Sequence, residues 1–390
     1  MAETLTRYDT DKTPLAIADK AMFIHHLNEE HQDELAMFIN AFTPASVGEY
    51  DIVSIKELYP DGLLLDVMTM NRYQNNSNAL KYSSSTDNSL AENLSSVNHQ
   101  YFINFFLPIS NAETLHEQYI ALLQASATKL GKRTIKLQEQ YFSVIDGYYV
   151  SPNMYRLVVT APENIPLNHP GYAYLFELNA EILSTINGES ENNDKPLQRY
   201  YTTLRKAWRD PIRSSVQAWI DVYIHGDTPG GNWARSLVCG MPIKTVRDYP
   251  EKIEHLSEGQ CLLICDETSL PTVANLLESW QNPLPPLVIA ITEDPKDISY
   301  LHTLNLCQHL GHDERFLQEN LLHIIKTPTT EIPEQIMSLL HARSITLPLK
   351  IGKVWGALEA ADIKSLRQQL KVTLGLSRQD MVIKVYWRAQ

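Results

Sequence analysis

At 390 residues with 44% apolar content, the chain is long enough for two or three domains with ordinary buried cores. Its formal charge of −13 argues against a general binder of nucleic acid or anionic membrane, either of which would repel it. The polar, mixed-charge opening Met1-Ala-Glu-Thr-Leu-Thr-Arg lacks the basic and apolar regions of an export leader, and no long apolar span follows. A cytoplasmic protein without membrane insertion is therefore expected.

Near-helical recurrence of Ile17, Ala21, Ile24, Leu27, Leu35, Phe38 and Ile39 predicts an amphipathic helix over 17–42. Its histidines at 25, 26 and 31 invite a metal reading. On a regular helix, however, His25 and His31 lie about 120° apart and His26 and His31 about 140° apart, so they do not converge on one ion. No metal site is expected. The apolar runs 52–58 and 62–68 flank Tyr59-Pro-Asp-Gly62, a turn sequence, and read as a strand pair. Residues 71–98 then hold seven Asn and seven Ser, too polar to bury, and read as an insertion. A strand at 101–108 and a helix at 112–130 complete a first region, 1–131, of α+β type.

The second region, 132–246, alternates short apolar strands with turns: 141–146, 154–160, 172–178, 199–204 and 218–225. This is the content of a six-stranded antiparallel barrel. Within it stands Arg199-Tyr-Tyr201-Thr202, and about twenty residues later His225-Gly226-Asp227 leads into Thr228-Pro-Gly-Gly230-Asn-Trp233-Ala234. An arginine, a tyrosine and a threonine on one strand can hold a phosphate, cover a flat ring and bond its polar edge. The glycine-containing loop offers backbone N–H groups to a pyrophosphate.

The third region, 247–390, changes period. Strands at 261–265, 287–292, 322–326, 352–357 and 381–386 are separated by helical stretches 270–280, 333–341 and 359–373, which argues for a doubly wound, mainly parallel sheet. Asp266-Glu267-Thr268 falls at the C-terminal end of its first strand, where such sheets bind ligands; the same residues could equally cap the following helix. The cysteines at 239, 261, 265 and 307 form no Cys-x-x-Cys pair. Cys261 and Cys265 fall on one face of a strand, roughly 13 Å apart, and read as core thiols.

Four features occur in order: Arg199-x-Tyr201-Thr202, the His225-Gly-Asp loop ending in Trp233-Ala234, Asp266-Glu-Thr-Ser-Leu-Pro271, and Tyr386-Trp-Arg388. Over roughly 132–390 the chain thus resembles the siderophore-interacting protein family of flavin-dependent ferric reductases. The resemblance implies an FAD-binding barrel followed by an NAD(P)H-binding-like α/β domain. It implies FAD contacts from Arg199, Tyr201, Thr202, His225, Gly226, Asp227, Gly230, Trp233 and Ala234, and cofactor contacts from Asp266, Glu267 and Thr268. Arg388, and after it Arg235, become candidates for binding an anionic ferric siderophore. Two departures affect the pyrophosphate and nicotinamide contacts: the loop after Asp227 is about one residue short of the family form, and Trp355-Gly-Ala-Leu-Glu359 replaces an Ala-Gly-Glu run.

The first region is also similar, through His26-Leu-Asn28-Glu-Glu-His31 and the 105–110 segment, to a small haem-associated domain of haem-utilisation proteins. Leu27 stands where that family usually has methionine, and the Asn/Ser insertion departs from it.

A nicotinamide gives up a two-electron hydride whereas ferric iron accepts one electron, and a flavin mediates between them. The expected activity is reduction of an imported ferric chelate with NADH, NADPH or a ferredoxin as donor. Acidic residues in Thr292-Glu-Asp-Pro-Lys-Asp297 lean towards NADH. A haem-binding or haem-delivery protein, and a flavin-dependent haem-degrading enzyme, stand as alternatives.

Overall fold

The computed structural model describes residues 12–48, 51–70, 96–132, 139–167, 169–178, 199–307, 310–311, 313–346, 350–377 and 379–388. They fall into two compact units, Met1–Thr134 and Ile135–Gln390. Among them no helix is long and apolar enough to cross a membrane.

The first unit pairs an antiparallel sheet, β1 (Ile52–Tyr59), β2 (Gly62–Met70) and β3 (Ser96–Asn104), with helices Lys20–Glu30, Gln32–Phe42 and Ala112–Lys129. The single helix expected over 17–42 is two helices, broken at His31 (φ −124°, ψ 24°). The Asn28 amide accepts from the Ile55 N–H and donates to the Ile55 carbonyl, pinning the end of the first helix to β1. The second helix then restarts in a phase that buries Leu35, Phe38 and Ile39. The break brings the His26 and His31 rings edge to face at 4.9 Å, which a continuous helix forbids. The polar insertion also needs correction. Residues 96–98 already belong to β3, where Met68, Thr69 and Met70 give their backbone a partner; 71–95 lie outside the described residues.

In the second unit β4 (Gln140–Tyr149), β5 (Met154–Ala161), β6 (Tyr172–Glu177), β7 (Arg199–Arg209), β8 (Val216–Tyr223) and β9 (Pro242–Pro250) close an antiparallel barrel in the order β4-β5-β8-β7-β6-β9. β9 has no counterpart among the predicted strands. Lys244, Arg247 and Asp248 mask its pattern, yet it supplies the closing pairs to β4 and β6. Residues 187–196, whose polar sequence Asn-Gly-Glu-Ser-Glu-Asn-Asn-Asp-Lys-Pro reads as an exposed loop, lie outside the described residues.

A parallel sheet follows, ordered β12 (Leu321–Ile325), β11 (Leu287–Thr292), β10 (Gln260–Cys265), β13 (Ile351–Glu359), β14 (Met381–Trp387). Successive residues of β10 feed opposite cores. Cys261, Leu263 and Cys265 meet the Leu270–Glu278 helix, while Leu262 and Ile264 meet Ile336, Leu366 and Leu370 from helices Ile332–Thr346 and Ala360–Leu374. Burial on both faces explains the unbroken apolar run Cys261–Cys265. Both of its thiols are free and buried.

Barrel and sheet are bolted together by buried polar contacts. Arg205 of β7, 2% exposed, forks onto Glu278 at 2.8 and 3.1 Å. Arg156 forks onto Asp221, which also accepts from the Tyr300 hydroxyl. Asp297 accepts from Ser151 and Asn153, and Thr272 donates to Thr203 at 2.8 Å.

Candidate functional site

Strand order reverses between β10 and β13: β11 and β12 extend one way and β14 the other. At such a point the loops after neighbouring strands diverge and leave a crevice at the strands' C-terminal ends. A cleft occupies that crevice. It is lined by Asp266, Glu267 and Thr268 after β10, Glu293 after β11, Lys326 after β12, Glu359 and Asp362 after β13, Trp387 of β14, and Tyr223 and His225 from the end of barrel strand β8.

Of the two adjacent carboxylates, Asp266 is consumed by structure. Its Oδ1 accepts from the Thr268 N–H and hydroxyl (3.0 and 2.6 Å) and the Ser269 N–H (3.2 Å), while its Oδ2 accepts from the Trp387 indole at 2.7 Å. The same carboxylate thus orders the turn into the Leu270–Glu278 helix and fixes an aromatic wall of the cleft. Burial pushes the Asp266 carboxyl up and these hydrogen bonds pull against it. Glu267 differs. It accepts from the Glu293 N–H and, at 3.4 Å, from the Tyr223 hydroxyl, both neutral donors. Burial raises its carboxyl to about 7, against the backbone N–H bonds and with the help of the Asp266 and Glu293 charges.

The barrel residues sit as follows. Tyr201 is half-buried at the seam with the sheet, its ring edge-on to Tyr249 (4.9 Å) and Tyr386 (6.4 Å). Thr202 points to the opposite side of β7, buried, its hydroxyl donating to the Asp221 carbonyl at 3.4 Å. Thr203 is the threonine on the Tyr201 side. The backbone of Arg199 pairs with Glu177; its side chain lies outside the described residues. His225 stacks on Tyr223 (5.0 Å, 19° between planes) and faces Trp387 at 6.3 Å.

The segment expected as a loop after Asp227 is a helix, Pro229–Ser236. Pro229 presets its first turn, and the Asn232 N–H reaches the Thr228 carbonyl. Gly226 takes φ +56°, and a Cβ on Gly230 would stand 2.8 Å from the Tyr200 ring, so both glycines are required locally. Asp227 accepts from Asn232, Trp233 and Ala234 are buried in the barrel core, and exposed Arg235 donates to Asn232 at 2.6 Å. Arg388 is exposed just beyond Trp387.

The structure thus brings His225, Asp266, Glu267 and Thr268 to one cleft with Trp387, and sets Tyr201 at the seam. Lys326, Glu359 and Asp362 also line the cleft and have no motif to announce them. Their position at the C-terminal ends of predicted strands was the available signal. β14 carries a bulge. Val385 lies opposite Leu358 and Trp387 opposite Glu359, so Tyr386 is an extra residue. Tyr386 consequently bonds Glu251 at 2.9 Å, near the barrel seam, while the next residue reaches Asp266.

Residues 259–390 match the family model described as siderophore-interacting protein. A curated relative, the ferric acinetobactin reductase of Acinetobacter baumannii, is 25% identical over 198 residues, covering 50% of this chain; the chain spans 62% of that relative's length. Among solved structures, the siderophore-interacting protein from Acinetobacter baumannii aligns at TM-score 0.48 with 18% identity, over 64% of this chain and 91% of that one. The siderophore-interacting protein from Aeromonas hydrophila aligns at 0.46 with 17% identity, over 65% and 99%. A ferredoxin NADP+ reductase from Neisseria gonorrhoeae with bound FAD and NADP aligns at 0.45 with 10% identity, over 65% and 100%.

Proposed function

We propose that the protein is an FAD-dependent ferric reductase that frees iron from a ferric chelate, a siderophore in the first instance, with NADH or NADPH as donor. The observation that carries this reading is the cleft at the strand-order reversal, where the barrel's Tyr223 and His225 meet Trp387 and the Asp266-Glu267-Thr268 turn. It is supported by the match of residues 259–390 to siderophore-interacting proteins and by the reductase relative. The four free cysteines suit a reducing, cytoplasmic setting.

The residues present fit a flavin. The Tyr201 ring lies at the seam between barrel and sheet, and the Pro229–Ser236 helix opens with two small residues beside the Gly226 turn. Arg199 and the N–H groups of that helix would hold the phosphates, Tyr201 would cover the ring system and His225 would flank it, while Thr202, on the other side of β7, would hold the strand to Asp221. Bound FAD would supply the exchange between a two-electron hydride and one-electron iron chemistry. Around it Asp266 holds Trp387 in place, and Tyr223, His225 and Trp387 form an aromatic side of the cleft. Arg388 and Arg235 offer positive charge to an anionic chelate.

Purified protein is expected to show a flavin absorbance spectrum that bleaches under anaerobic NADH and returns with ferric chelate as Fe(II) appears. Arg199→Ala should weaken FAD about ten- to a hundredfold, the worth of one charge-assisted phosphate contact. Protein that takes up no flavin on reconstitution overturns the reading.

The donor preference follows from the same cleft. Of the acidic residues after β11, Asp294 caps its own turn and Asp297 is buried by Ser151 and Asn153, which leaves Glu293 facing the cleft. A carboxylate there disfavours a 2′-phosphate. NADH should reduce the flavin with a KM roughly tenfold below that of NADPH, a difference of about 1.4 kcal/mol, and Glu293→Gln should narrow the gap. Equal KM values in the native protein would refute the assignment, and failure of both donors would point to a ferredoxin.

A further inference from the structure

We infer that Glu267 is the proton-holding group of the cleft, taking up the proton left behind when the two electrons of a hydride have passed to ferric iron. The inference rests on the reductase reading. That reaction, NAD(P)H + 2 Fe(III) → NAD(P)+ + 2 Fe(II) + H+, releases one proton per turnover. The dihydronicotinamide C–H bond breaks, its electron pair divides between two ferric centres, and the hydrogen nucleus needs a base. An O–H bond forms on the Glu267 carboxylate and is later surrendered to water or to an oxygen atom of the departing chelate.

The geometry points to Glu267 by comparison with its neighbours. From its own turn, Asp266 has both oxygens committed to the turn and to Trp387. From β11, Glu293 is exposed to water and contributes its N–H to Glu267. From the barrel, His225 is exposed and stacked on Tyr223, whose hydroxyl reaches Glu267. From the far wall, Lys326 is spent on Glu359 at 3.3 Å and lies over the Trp387 ring, while Asp362 is only half-buried. Glu267 is 5% exposed, lines the cleft, and is held by neutral donors. A carboxyl so placed is balanced between its two protonation states near neutrality, where a proton carrier works best.

The test compares the native protein with Glu267→Gln and Glu267→Asp, each shown to fold by circular dichroism. In flavin-free protein, infrared difference spectra across pH should show a protonated-carboxyl band that fades with a midpoint near 7, absent from Glu267→Gln. In flavin-loaded protein with saturating NADH, the rate of ferric chelate reduction should change through the same pH. Glu267→Gln should flatten that profile and slow turnover at least about tenfold at pH 8, and Glu267→Asp should restore an inflection. A native protein that reduces iron with a pH profile unchanged in Glu267→Gln overturns this assignment alone. A native protein that binds no flavin and reduces no iron overturns the reductase reading and the proton role together, even with the infrared midpoint in place.

Discussion

Arg205→Ala is expected to destabilise the second unit by about 3–5 kcal/mol, because it strands a buried carboxylate. Glu278 is almost enclosed, with Arg205 supplying two hydrogen bonds, Lys206 a third at 3.3 Å, and the Asn305 N–H a fourth at 3.1 Å. Burial works to raise the Glu278 carboxyl, yet the Arg205 contacts outweigh it and hold the group below its usual range. Without the guanidinium that balance reverses. The pair joins a barrel strand to the first helix of the sheet, so the loss should appear in urea unfolding as a lower midpoint for barrel and sheet alike. Replacing both partners, as Arg205→Met with Glu278→Leu, should recover most of the loss, since no charge is then left buried alone. The exposed Arg315–Glu319 pair is the control: its removal should leave the midpoint where it was. An Arg205→Ala protein as stable as the native one would mean that the fork contributes nothing.

Glu267 should leave a signature on stability with the opposite sign to an ordinary ion-paired carboxylate. Its folded value near 7 lies above the 4.5 of a free glutamate, so between those values the folded chain holds a proton that the unfolded chain has lost. Stability is fullest below about 4.5, falls as pH rises, and levels off above about 7. A shift of that size is worth on the order of 3 kcal/mol. Glu267→Gln cannot ionise. Measured by urea unfolding, its advantage over the native protein should be small at pH 5 and grow to roughly that amount at pH 8. Other carboxyls titrate in the same window, which is why the difference between the two proteins, and not either curve alone, carries the result. An advantage that does not grow with pH would place the Glu267 titration elsewhere.

Much of the second unit was legible in the sequence because its signals are local. The run Cys261–Cys265 is apolar at every position, as a strand buried on both faces must be, and the Leu270–Glu278 helix follows from a proline in its first turn and a continuous apolar face. β9 was not legible, since its closing role depends on partners about a hundred residues upstream in β4 and roughly seventy in β6. The same distinction runs through the site. Asp266 and Glu267 are neighbours of one residue type, and sequence placed both at the right strand end. Nothing local says that one is spent on Trp387, 121 residues away, while the other is left with neutral partners. Arg205 was hidden for a related reason: on an alternating barrel strand an arginine reads as outward and solvated, and only the docked sheet makes its position an interior one.

The bulge in β14 makes that strand sensitive to parity. In a regular strand neighbours face opposite ways, and the bulge instead delivers Tyr386 to Glu251 and Trp387 to Asp266. The extra residue breaks the alternation once, between the Leu358–Val385 and Glu359–Trp387 pairings. Loops around the cleft can lengthen or shorten and still deliver the same side chains. A single residue gained or lost between Met381 and Val385 cannot be absorbed in this way: a loss would bring the indole to Glu251 and Arg388 to the Asp266 turn, and a gain would bring the phenol to that turn and Val385 to Glu251. The count of residues along this strand is therefore fixed together with the identities of Tyr386 and Trp387.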